Sequence, residues 1–373
     1  MSECNWTRRS ALALGAAAGA CAPLMRMDAG TPSLNALARA KGMRFGAAIG
    51  RRDLDDRRLC EVVRRECGLV VAENDHKWPY IHPARNVYSF APGDRLVRFA
   101  ERNGMAVRGH NLLWQHPRWL AQWVTDYDFG ADARTSAEAL LREHITTVCQ
   151  HYGTRIGSWD VVNETIDERT GDLRDTVLTR AMGSDVVAFC FHVAREAAPD
   201  AQLVYNDFMG WSADSATHRA GVLRLLHDLR TRGAPVDALG LQSHIGSSRG
   251  TPQGSFNAPQ EREWRQFLDE VVGMGFALLI TEFDVNDRTI TGDIAARDRA
   301  VADYAKAYLD ITLSYPQLKD VLTWGVVNHR SWLQRFTPRE DGLPLRPLPF
   351  DDFYRSTPLR AAIAAAFEAA PAR

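Results

Sequence analysis

The chain has 373 residues, of which 45% are hydrophobic and 24% are charged, and its formal net charge at pH 7 is −1. This is the balance of an ordinary globular protein. The length could accommodate two or three domains but is also common for one α/β barrel. A net charge near zero gives no overall attraction to nucleic acid or to an anionic membrane, whereas a neutral or polymeric substrate meets no electrostatic barrier.

The N-terminal segment differs from the rest of the chain. Arg8 and Arg9 precede an apolar run of small residues at positions 11–20, and the Ala-Gly-Ala at 18–20 resembles a cleavage site. These features indicate an export signal, and the paired arginines are typical of the twin-arginine type. The run is too short to span a bilayer. We predict that residues 1–30 are an export signal and leader, and that the protein is periplasmic or extracellular. The alternative is an alanine-rich tail without a targeting role.

The six cysteines form neither a disulfide nor a zinc pattern. Cys60 and Cys67 would lie about 10 Å apart along one helix, which is too far for a disulfide, and no Cys-x-x-Cys spacing indicates zinc. Cys21 directly follows Ala20, but Ala18 does not match the large aliphatic residue of lipidation signals, so a lipid anchor at Cys21 is not our interpretation. Free buried thiols are predicted beyond the signal, at Cys60, Cys67, Cys149 and Cys190.

Beyond residue 43 the chain alternates between apolar, β-branched runs and amphipathic runs. The first kind predicts strands and the second predicts helices. Strands are predicted at residues 44–49, 69–73, 106–113, 157–163, 202–206, 238–244, 277–283 and 321–327. The clearest helices are predicted at residues 135–152, 185–197, 215–231, 261–273 and 298–314. The alanine-rich C-terminal run predicts a further helix.

Eight strand–helix repeats indicate an α/β fold in which a parallel sheet closes into a (β/α)8 TIM barrel. The alternative is an open doubly wound sheet, which usually carries a glycine-rich phosphate turn after its first strand. Here that segment contains the single Gly50 and no GxGxxG motif. We therefore predict one catalytic domain at about residues 31–371.

Polar or tryptophan-bearing clusters follow most of the predicted strands. Catalytic groups of a barrel lie at the C-terminal ends of its strands, and the opposite ends here carry Gly, Ala and Arg instead. One polar strand end has an ordinary structural explanation. Such clusters after seven of the eight strands instead indicate a polar mouth, by which we mean the end of the barrel formed by the C-terminal ends of its strands. The candidates are Glu73, Asn74, Lys77, Trp78, His110, Asn111, Trp114, Asn163, Glu164, Asn206, Asp207, Gln242, Ser243, His244, Glu282, Asp284, Trp324 and Trp332.

Two glutamates at this mouth, Glu164 and Glu282, indicate the chemistry. The chain lacks an HExxH metal motif, a GxSxG elbow and a Walker loop. Paired carboxyl groups suit glycoside hydrolysis, in which one donates a proton and the other attacks the sugar. Mutual repulsion separates the pKa values of two crowded carboxyl groups and so supplies both forms at one pH. Several tryptophans offer flat faces on which sugar rings can stack: Trp114, Trp119, Trp324 and Trp332.

Six segments together resemble glycoside hydrolase family 10, the family of retaining endo-β-1,4-xylanases. They are AENDHKW, GHNLLW, WDVVNE, LQSHI, ITEFDV and TWGVVNHRSWL. They follow in the family's order, and the resemblance extends from about residue 34 to residue 354. Each segment alone is moderately specific, whereas all six in register are strongly specific.

The resemblance implies roles for individual residues. Glu164 matches the family's acid/base, Glu282 its nucleophile, and His244 the histidine that orients this nucleophile. Asn163 matches an asparagine that contacts the sugar 2-hydroxyl, and Gln242 precedes the histidine as in the family. The remaining matches are substrate-binding polar contacts and aromatic walls: Glu73, Asn74, Lys77, His110, Trp114, Trp324 and Trp332.

Three segments depart from the family pattern. WQHPRW is shorter than usual and has Gln115 where a histidine is common. NDFMGW replaces the more usual Asn-Asp-Tyr-Asn after the fifth strand, and Val327 and Asn328 stand where Thr-Asp is common. Because the changes surround the cleft, they affect the expected subsite number and sugar preference more than the reaction.

Strict alternation along a strand would put Asn163 and Glu164 on opposite faces. Both can reach one sugar only if the strand bends or bulges at its end, and we predict such an irregularity there. Retaining chemistry further predicts carboxyl groups about 5–5.5 Å apart.

The sequence thus predicts a retaining endo-β-1,4-xylanase that acts on xylan or its oligosaccharides as a monomer. No cofactor, metal, nucleic-acid partner or membrane span is expected. Two alternatives stay open. One is a related β-glycosidase acting on short xylo-oligomers, aryl β-glycosides or mixed glucan, and the other is a non-catalytic carbohydrate-binding barrel. A phosphate-binding aldolase or isomerase would need a glycine-rich loop after the last strands, which the sequence lacks.

Overall fold

The computed structural model describes residues 30–246 and 258–373. The predicted export signal and Cys21 lie outside these residues. Within them, no helix is long and apolar enough to cross a membrane. The four cysteines in this part of the chain are free and buried, as predicted.

The strands of the described residues form a closed parallel barrel. They are β1 (Arg44–Ile49), β2 (Leu69–Ala72), β3 (Ala106–Trp114), β4 (Ser158–Asn163), β5 (Gln202–Asp207), β6 (Ala238–Leu241), β7 (His244–Gly246), β8 (Ala277–Asn286) and β9 (Leu318–Thr323). The order is β6-β5-β4-β3-β2-β1-β9-β8-β7, and β6 also pairs with β8, which closes the sheet. β6 and β7 are two parts of one barrel strand, since both pair with β8 on either side of Gln242 and Ser243. The predicted (β/α)8 TIM barrel is confirmed.

Helices follow the strands along the chain. Those of the described residues are α1 (Leu34–Arg39), α2 (Arg57–Glu66), α3 (Trp78–Ile81), α4 (Ala91–Arg102), α5 (Gln122–Thr125), α6 (Ala133–Tyr152), α7 (Val177–Met182), α8 (Asp185–Ala197), α9 (Ala216–Thr231), α10 (Ala258–Gly273), α11 (Ile294–Thr312), α12 (Leu333–Phe336) and α13 (Pro358–Ala369). All the helices predicted from the amphipathic runs are present, with bounds that shift by a few residues at most.

The last barrel strand differs most from its prediction. β9 begins at Leu318 and ends at Thr323, whereas residues 321–327 were predicted. The backbone N–H of Trp324 still donates to the carbonyl oxygen of Phe283 in β8, at 3.0 Å. Gly325 then adopts a φ of 104°, a conformation that glycine reaches without steric cost, and the chain leaves the sheet. This turn places Trp324 at the C-terminal end of the barrel.

The main core lies between the sheet and the helices. Alternate residues of β1, including Phe45 and Ile49, pack in one large cluster with helix residues such as Leu59. The residue Ala48 between them packs instead in a smaller cluster with Val71 of β2. Parallel strands covered on both faces are expected to be apolar throughout. Polar residues on the inward side of this barrel therefore need a specific explanation.

A buried histidine pair links α3 and α6 to β3. His82 Nδ1 lies 3.1 Å from His144 Nδ1, and His144 Nε2 lies 3.1 Å from the carbonyl oxygen of Leu112. A carbonyl only accepts, so His144 carries its proton on Nε2 and accepts from His82 at Nδ1. Both rings are thus neutral. Burial lowers the pKa of His82 to about 4 and holds that of His144 well below its usual value.

We expect this pair to make folding stability decrease in mild acid. The folded protein disfavours protonation of both histidines, whereas the unfolded chain takes up protons as the pH falls through about 6.5. This stability is fully present above about pH 6.5 and is lost toward pH 4, by about 3 kcal/mol for His82 alone. His82→Gln keeps an N–H donor without titrating. Between about pH 7 and pH 4.5, the free energy of unfolding of this variant should therefore decrease less than that of the wild type. Urea unfolding measures both.

The matched control for this experiment is His192→Gln, which replaces an exposed histidine of α8. The control should follow the wild-type dependence on pH. If the wild type and His82→Gln lose stability equally, the histidine pair does not have the proposed effect.

Candidate active site

Glu164 directly follows β4, Glu282 lies in β8, and side-chain amides connect the two. Gln242 Nε2 donates to Glu164 Oε1 at 2.9 Å, and Asn206 Nδ2 donates to Glu282 Oε1 at 2.7 Å. Both amides also donate to Asn163 Oδ1, at 3.3 Å and 2.8 Å respectively. The two predicted carboxyl groups therefore belong to one hydrogen-bonded network at the barrel mouth.

The irregularity predicted for β4 is present. The register between β4 and β5 shifts between Asp160 and Val162, which is the mark of a β-bulge. Val161 and Val162 both pack in the core shared with the helices, so that Asn163 faces the barrel interior. Glu164 then adopts a φ of 54°, which is uncommon for a residue other than glycine. These two features together bring both side chains to the mouth.

Two further strands are irregular at this end of the barrel, which was not expected from the sequence. β3 shifts its register against β4, and β8 shifts against β9. In β8 the consecutive residues Thr281 and Glu282 both contact the Asn206 side chain, at 2.7 Å each. The mouth thereby holds more polar side chains than strict alternation would allow.

Glu282 is 5% exposed, yet its surroundings favour the ionised form. Burial would raise its pKa, but the charge of His110, a hydrogen bond and charge from His244 and the charge of Lys77 lower the pKa to about 2. His244 Nε2 lies 3.3 Å from Glu282 Oε2, and His110 Nδ1 lies 3.9 Å from Oε1. Glu282 is therefore a carboxylate near neutral pH.

The pKa of Glu164 is shifted in the opposite direction. Burial raises it above its ordinary value, and the negative charges of Asp207 and Glu282 add to this effect. The hydrogen bond from Gln242 opposes the shift but comes from a neutral amide. One carboxyl group thus favours holding a proton and the other favours losing it. This is the division that a proton donor and a nucleophile require.

His244 is held by a carboxylate to which the sequence analysis gave no role. Asp284 Oδ1 lies 3.0 Å from His244 Nδ1, and Trp332 Nε1 donates to Asp284 Oδ2 at 2.8 Å. Burial lowers the pKa of His244, but Asp284 and Glu282 raise it to about 10. His244 is therefore a cation beside Glu282. The available signal for Asp284 was its position two residues after Glu282, on the same face of the strand.

Lys77 forms one wall of the mouth. Its Nζ donates to Asn74 Oδ1 at 3.0 Å. It also lies 4.6 Å from the ring centroid of Trp114 and 5.5 Å from that of Trp324. Burial lowers the pKa of Lys77, and three nearby carboxyl groups oppose this by their charge: Glu282, Glu73 and Glu164.

His110 and Trp332 form the remaining parts of the mouth. His110 Nδ1 lies 2.9 Å from Asp160 Oδ2, and the other oxygen of Asp160 pairs with Arg108 inside the barrel. The Trp332 ring packs against that of His244, with centroids 5.0 Å apart. Two candidates lie elsewhere: Trp78 packs in the main core against His144, and the Ser243 hydroxyl contacts that of Tyr308 at 2.7 Å. The structure thus brings the residues with roles implied by the family resemblance to one mouth. It also adds residues to which the sequence analysis gave no role, namely Asn206, Asp284 and Asp160.

Two of the departures from the family pattern are buried in the scaffold. Gln115 is fully buried and donates to Thr176 Oγ1 at 2.8 Å, at the start of α7. Asn328 is 1% exposed and accepts a hydrogen bond from the backbone N–H of Leu348 at 2.9 Å. Their side chains therefore stabilise loop connections around the mouth.

Comparison with known proteins decides the family. A sequence model of glycosyl hydrolase family 10 matches residues 33–366. The chain belongs to glycosyl hydrolase family 10. This family 10 chain is 32% identical to endo-1,4-beta-xylanase B of Paenibacillus barcinonensis over 339 residues, which cover 87% of the chain and 95% of the relative. It is 30% identical to endo-1,4-beta-xylanase B of Thermotoga neapolitana, with 83% of each protein covered.

Solved structures agree with this family 10 assignment. The crystal structure of native xylanase 10B from Thermotoga maritima has a TM-score of 0.80 and 31% identity, over 90% of this chain and 98% of that one. The family predicted from the six sequence segments is therefore confirmed.

We expect His244→Gln to raise the pKa of Glu282 in this family 10 protein. The variant keeps a hydrogen-bond donor but removes a cation. The effect of burial, which raises the pKa of Glu282, is then less well opposed. The pKa should rise from about 2 by at least ~1 unit. Carbon-13 NMR titration of glutamate-labelled protein measures it, with Glu282→Gln assigning the resonance. His218→Gln is the matched control, because buried His218 pairs with Asp207 at 3.1 Å instead. An unshifted Glu282 in His244→Gln would disprove this electrostatic role.

Proposed function

We propose that this protein is a retaining endo-β-1,4-xylanase, with Glu164 as the acid/base and Glu282 as the nucleophile. One observation carries the proposal: two carboxyl groups with opposite pKa shifts share an amide network at the mouth of a family 10 barrel. The relatives compared above are named endo-1,4-beta-xylanases. A xylanase 10B from Thermotoga petrophila, with 30% identity and a TM-score of 0.81, was solved in complex with xylobiose. These relatives support xylan as the substrate.

In the first step, a carboxylate oxygen of Glu282 attacks the anomeric carbon of the sugar. Glu164 gives its proton to the glycosidic oxygen, the bond from that oxygen to the anomeric carbon breaks, and the shortened chain leaves as an alcohol. A glycosyl ester remains on Glu282. Hydrogen bonds from Asn206 and His244, one to each oxygen of the carboxylate, orient it for attack without neutralising it by proton transfer.

In the second step, water replaces the ester. Because the ester has no negative charge, the contribution of Glu282 to the raised pKa of Glu164 is lost, and Glu164 now acts as a base. It takes a proton from the water that attacks the anomeric carbon, and Glu282 leaves as a carboxylate. Two inversions at one carbon retain the configuration of the sugar.

The walls of the mouth supply the contacts for the sugar. Lys77 and Asn74 are hydrogen-bonded to each other and present polar groups to hydroxyls, while the rings of Trp114 and Trp324 offer apolar faces. Asn163 lies beside the acid/base and shares Gln242 Nε2 with it. This position suits the proposed contact of Asn163 with the sugar 2-hydroxyl.

We expect Glu164→Gln and Glu282→Gln each to reduce the release of reducing sugar from xylan by about 10³-fold or more. Each variant keeps the size and hydrogen-bonding shape of the side chain but removes the proton donor or the nucleophile. Glu101→Gln is the matched control, because Glu101 is exposed on α4, and it should retain wild-type activity.

The same assay separates the proposal from its alternatives. Turnover of xylo-oligomers, aryl β-glycosides or mixed glucan without cleavage of xylan would indicate the related β-glycosidase. Binding of xylo-oligomers without any turnover by the wild type would indicate a carbohydrate-binding barrel and would contradict the proposal.

A further inference from the structure

We propose that Arg174 is a positioning residue that fixes the acid/base Glu164 through its backbone. This inference rests on the proposed function, because it assigns Arg174 a part in the same reaction. Arg174 stands ten residues after Glu164, at the end of the loop that follows β4. It was not among the candidates identified from the sequence.

Glu164 has a backbone conformation that needs contacts from outside the strand. Its φ of 54° lies in the left-handed region, which residues other than glycine occupy only when the surrounding structure holds them there. The Glu164 N–H donates to the carbonyl oxygen of Asn206 in β5, at 3.0 Å. The Glu164 carbonyl oxygen accepts from Arg174 Nε at 2.9 Å. Both peptide groups that flank the residue are thus held.

The Arg174 side chain is itself held at several points. It is 6% exposed. Its Nη2 donates to Glu168 Oε2 at 2.8 Å, and its Nη1 lies 3.9 Å from Asp167 Oδ2. Its backbone N–H donates to the carbonyl oxygen of Thr165 at 2.8 Å. Because the guanidinium group is rigid and planar, these contacts also fix the direction of its Nε–H. The loop from 165 to 174 is therefore closed at its base, directly beside Glu164.

The contact acts on the position of the Glu164 carboxyl group. The guanidinium group reaches the backbone of Glu164, whereas the carboxyl group of that residue contacts Gln242. The positive charge of Arg174 is opposed by Glu168 and Asp167 in its own loop. Without Arg174 the peptide after Glu164 loses the contact to its carbonyl oxygen and is held only from its other side, by the hydrogen bond between the Thr165 N–H and Tyr205. The carboxyl group then loses its alignment with the glycosidic oxygen, although it remains in the site.

A misplaced acid/base has a signature that a general structural defect lacks. Phenolate is a poor leaving group that needs a proton from the acid, whereas 2,4-dinitrophenolate leaves without one. Glu164 also activates water in the second step, but azide attacks the glycosyl ester without the help of a base. Loss of acid/base alignment therefore slows the first step by an amount that depends on the leaving group, and it slows the second step in a way that azide relieves.

The experiment compares Arg174→Met with the wild type on phenyl and 2,4-dinitrophenyl β-xylobioside. Methionine keeps an unbranched side chain but has no N–H donors. We expect kcat/KM for the phenyl substrate to fall about 10–100-fold. For the dinitrophenyl substrate it should change by less than about threefold. Added azide should raise kcat of the variant on the dinitrophenyl substrate and leave the wild type unchanged.

Two measurements keep the result interpretable. Arg169→Met is the matched control, since the Arg169 side chain belongs to the same loop, is 79% exposed and lies 3.4 Å from Asp167 Oδ2. It should behave as the wild type on both substrates. Covalent trapping of Glu282 by 2,4-dinitrophenyl 2-deoxy-2-fluoro-β-xylobioside counts the folded sites in every variant without requiring the acid.

The outcomes are distinct. A loss of kcat/KM confined to the phenyl substrate, together with a kcat on the dinitrophenyl substrate that azide raises, supports the role of Arg174. An equal loss on both substrates, or no loss, in fully trapped enzyme overturns it. If Arg174→Met does not fold, Arg174→Lys, which keeps the charge but lacks the planar donor group, is judged by the same ratio. A wild type inactive on xylan and on both xylobiosides would instead contradict the proposed function.

Discussion

The site depends on keeping a buried carboxylate ionised. Glu282 is almost fully buried, and an isolated carboxylate in such a place would take up a proton instead of remaining charged. Its neighbours reverse this effect: His110, His244 and Lys77. These residues come from β3, β7 and the segment after β2. The charge state of Glu282 therefore depends on the closure of the whole barrel, which brings distant parts of the chain to one mouth.

Glu164 shares this mouth but meets a different kind of contact. Its carboxyl group accepts from the neutral amide of Gln242, and burial together with the negative charges of Asp207 and Glu282 raises its pKa. Asn163 and Asn206 connect this environment to that of Glu282. Amides are suited to this position because they donate and accept hydrogen bonds without adding charge. They can fix two carboxyl groups relative to each other while leaving their pKa values far apart.

The barrel and its polar mouth could be predicted because strand periodicity and the residues at strand ends are local properties of the sequence. Periodicity alone, however, separates Asn163 from Glu164, and the bulge in β4 and the φ of Glu164 bring them together. Such irregularities depend on hydrogen bonds from other strands. The role of Asp284 likewise depends on Trp332, which lies 48 residues later. Alternation along the strand places Asp284 on the face of Glu282, but it contains no signal for the contact with Trp332.

The stereochemical course of hydrolysis tests the central claim most directly. If Glu282 forms a glycosyl ester that Glu164 then helps water to displace, the product keeps the configuration of the substrate. Proton NMR during cleavage of a xylo-oligosaccharide should show the β-anomer of the new reducing end first, with the α-anomer appearing only through later mutarotation. Initial release of the α-anomer would mean direct displacement by water, and would contradict the assignment of Glu282 as the nucleophile.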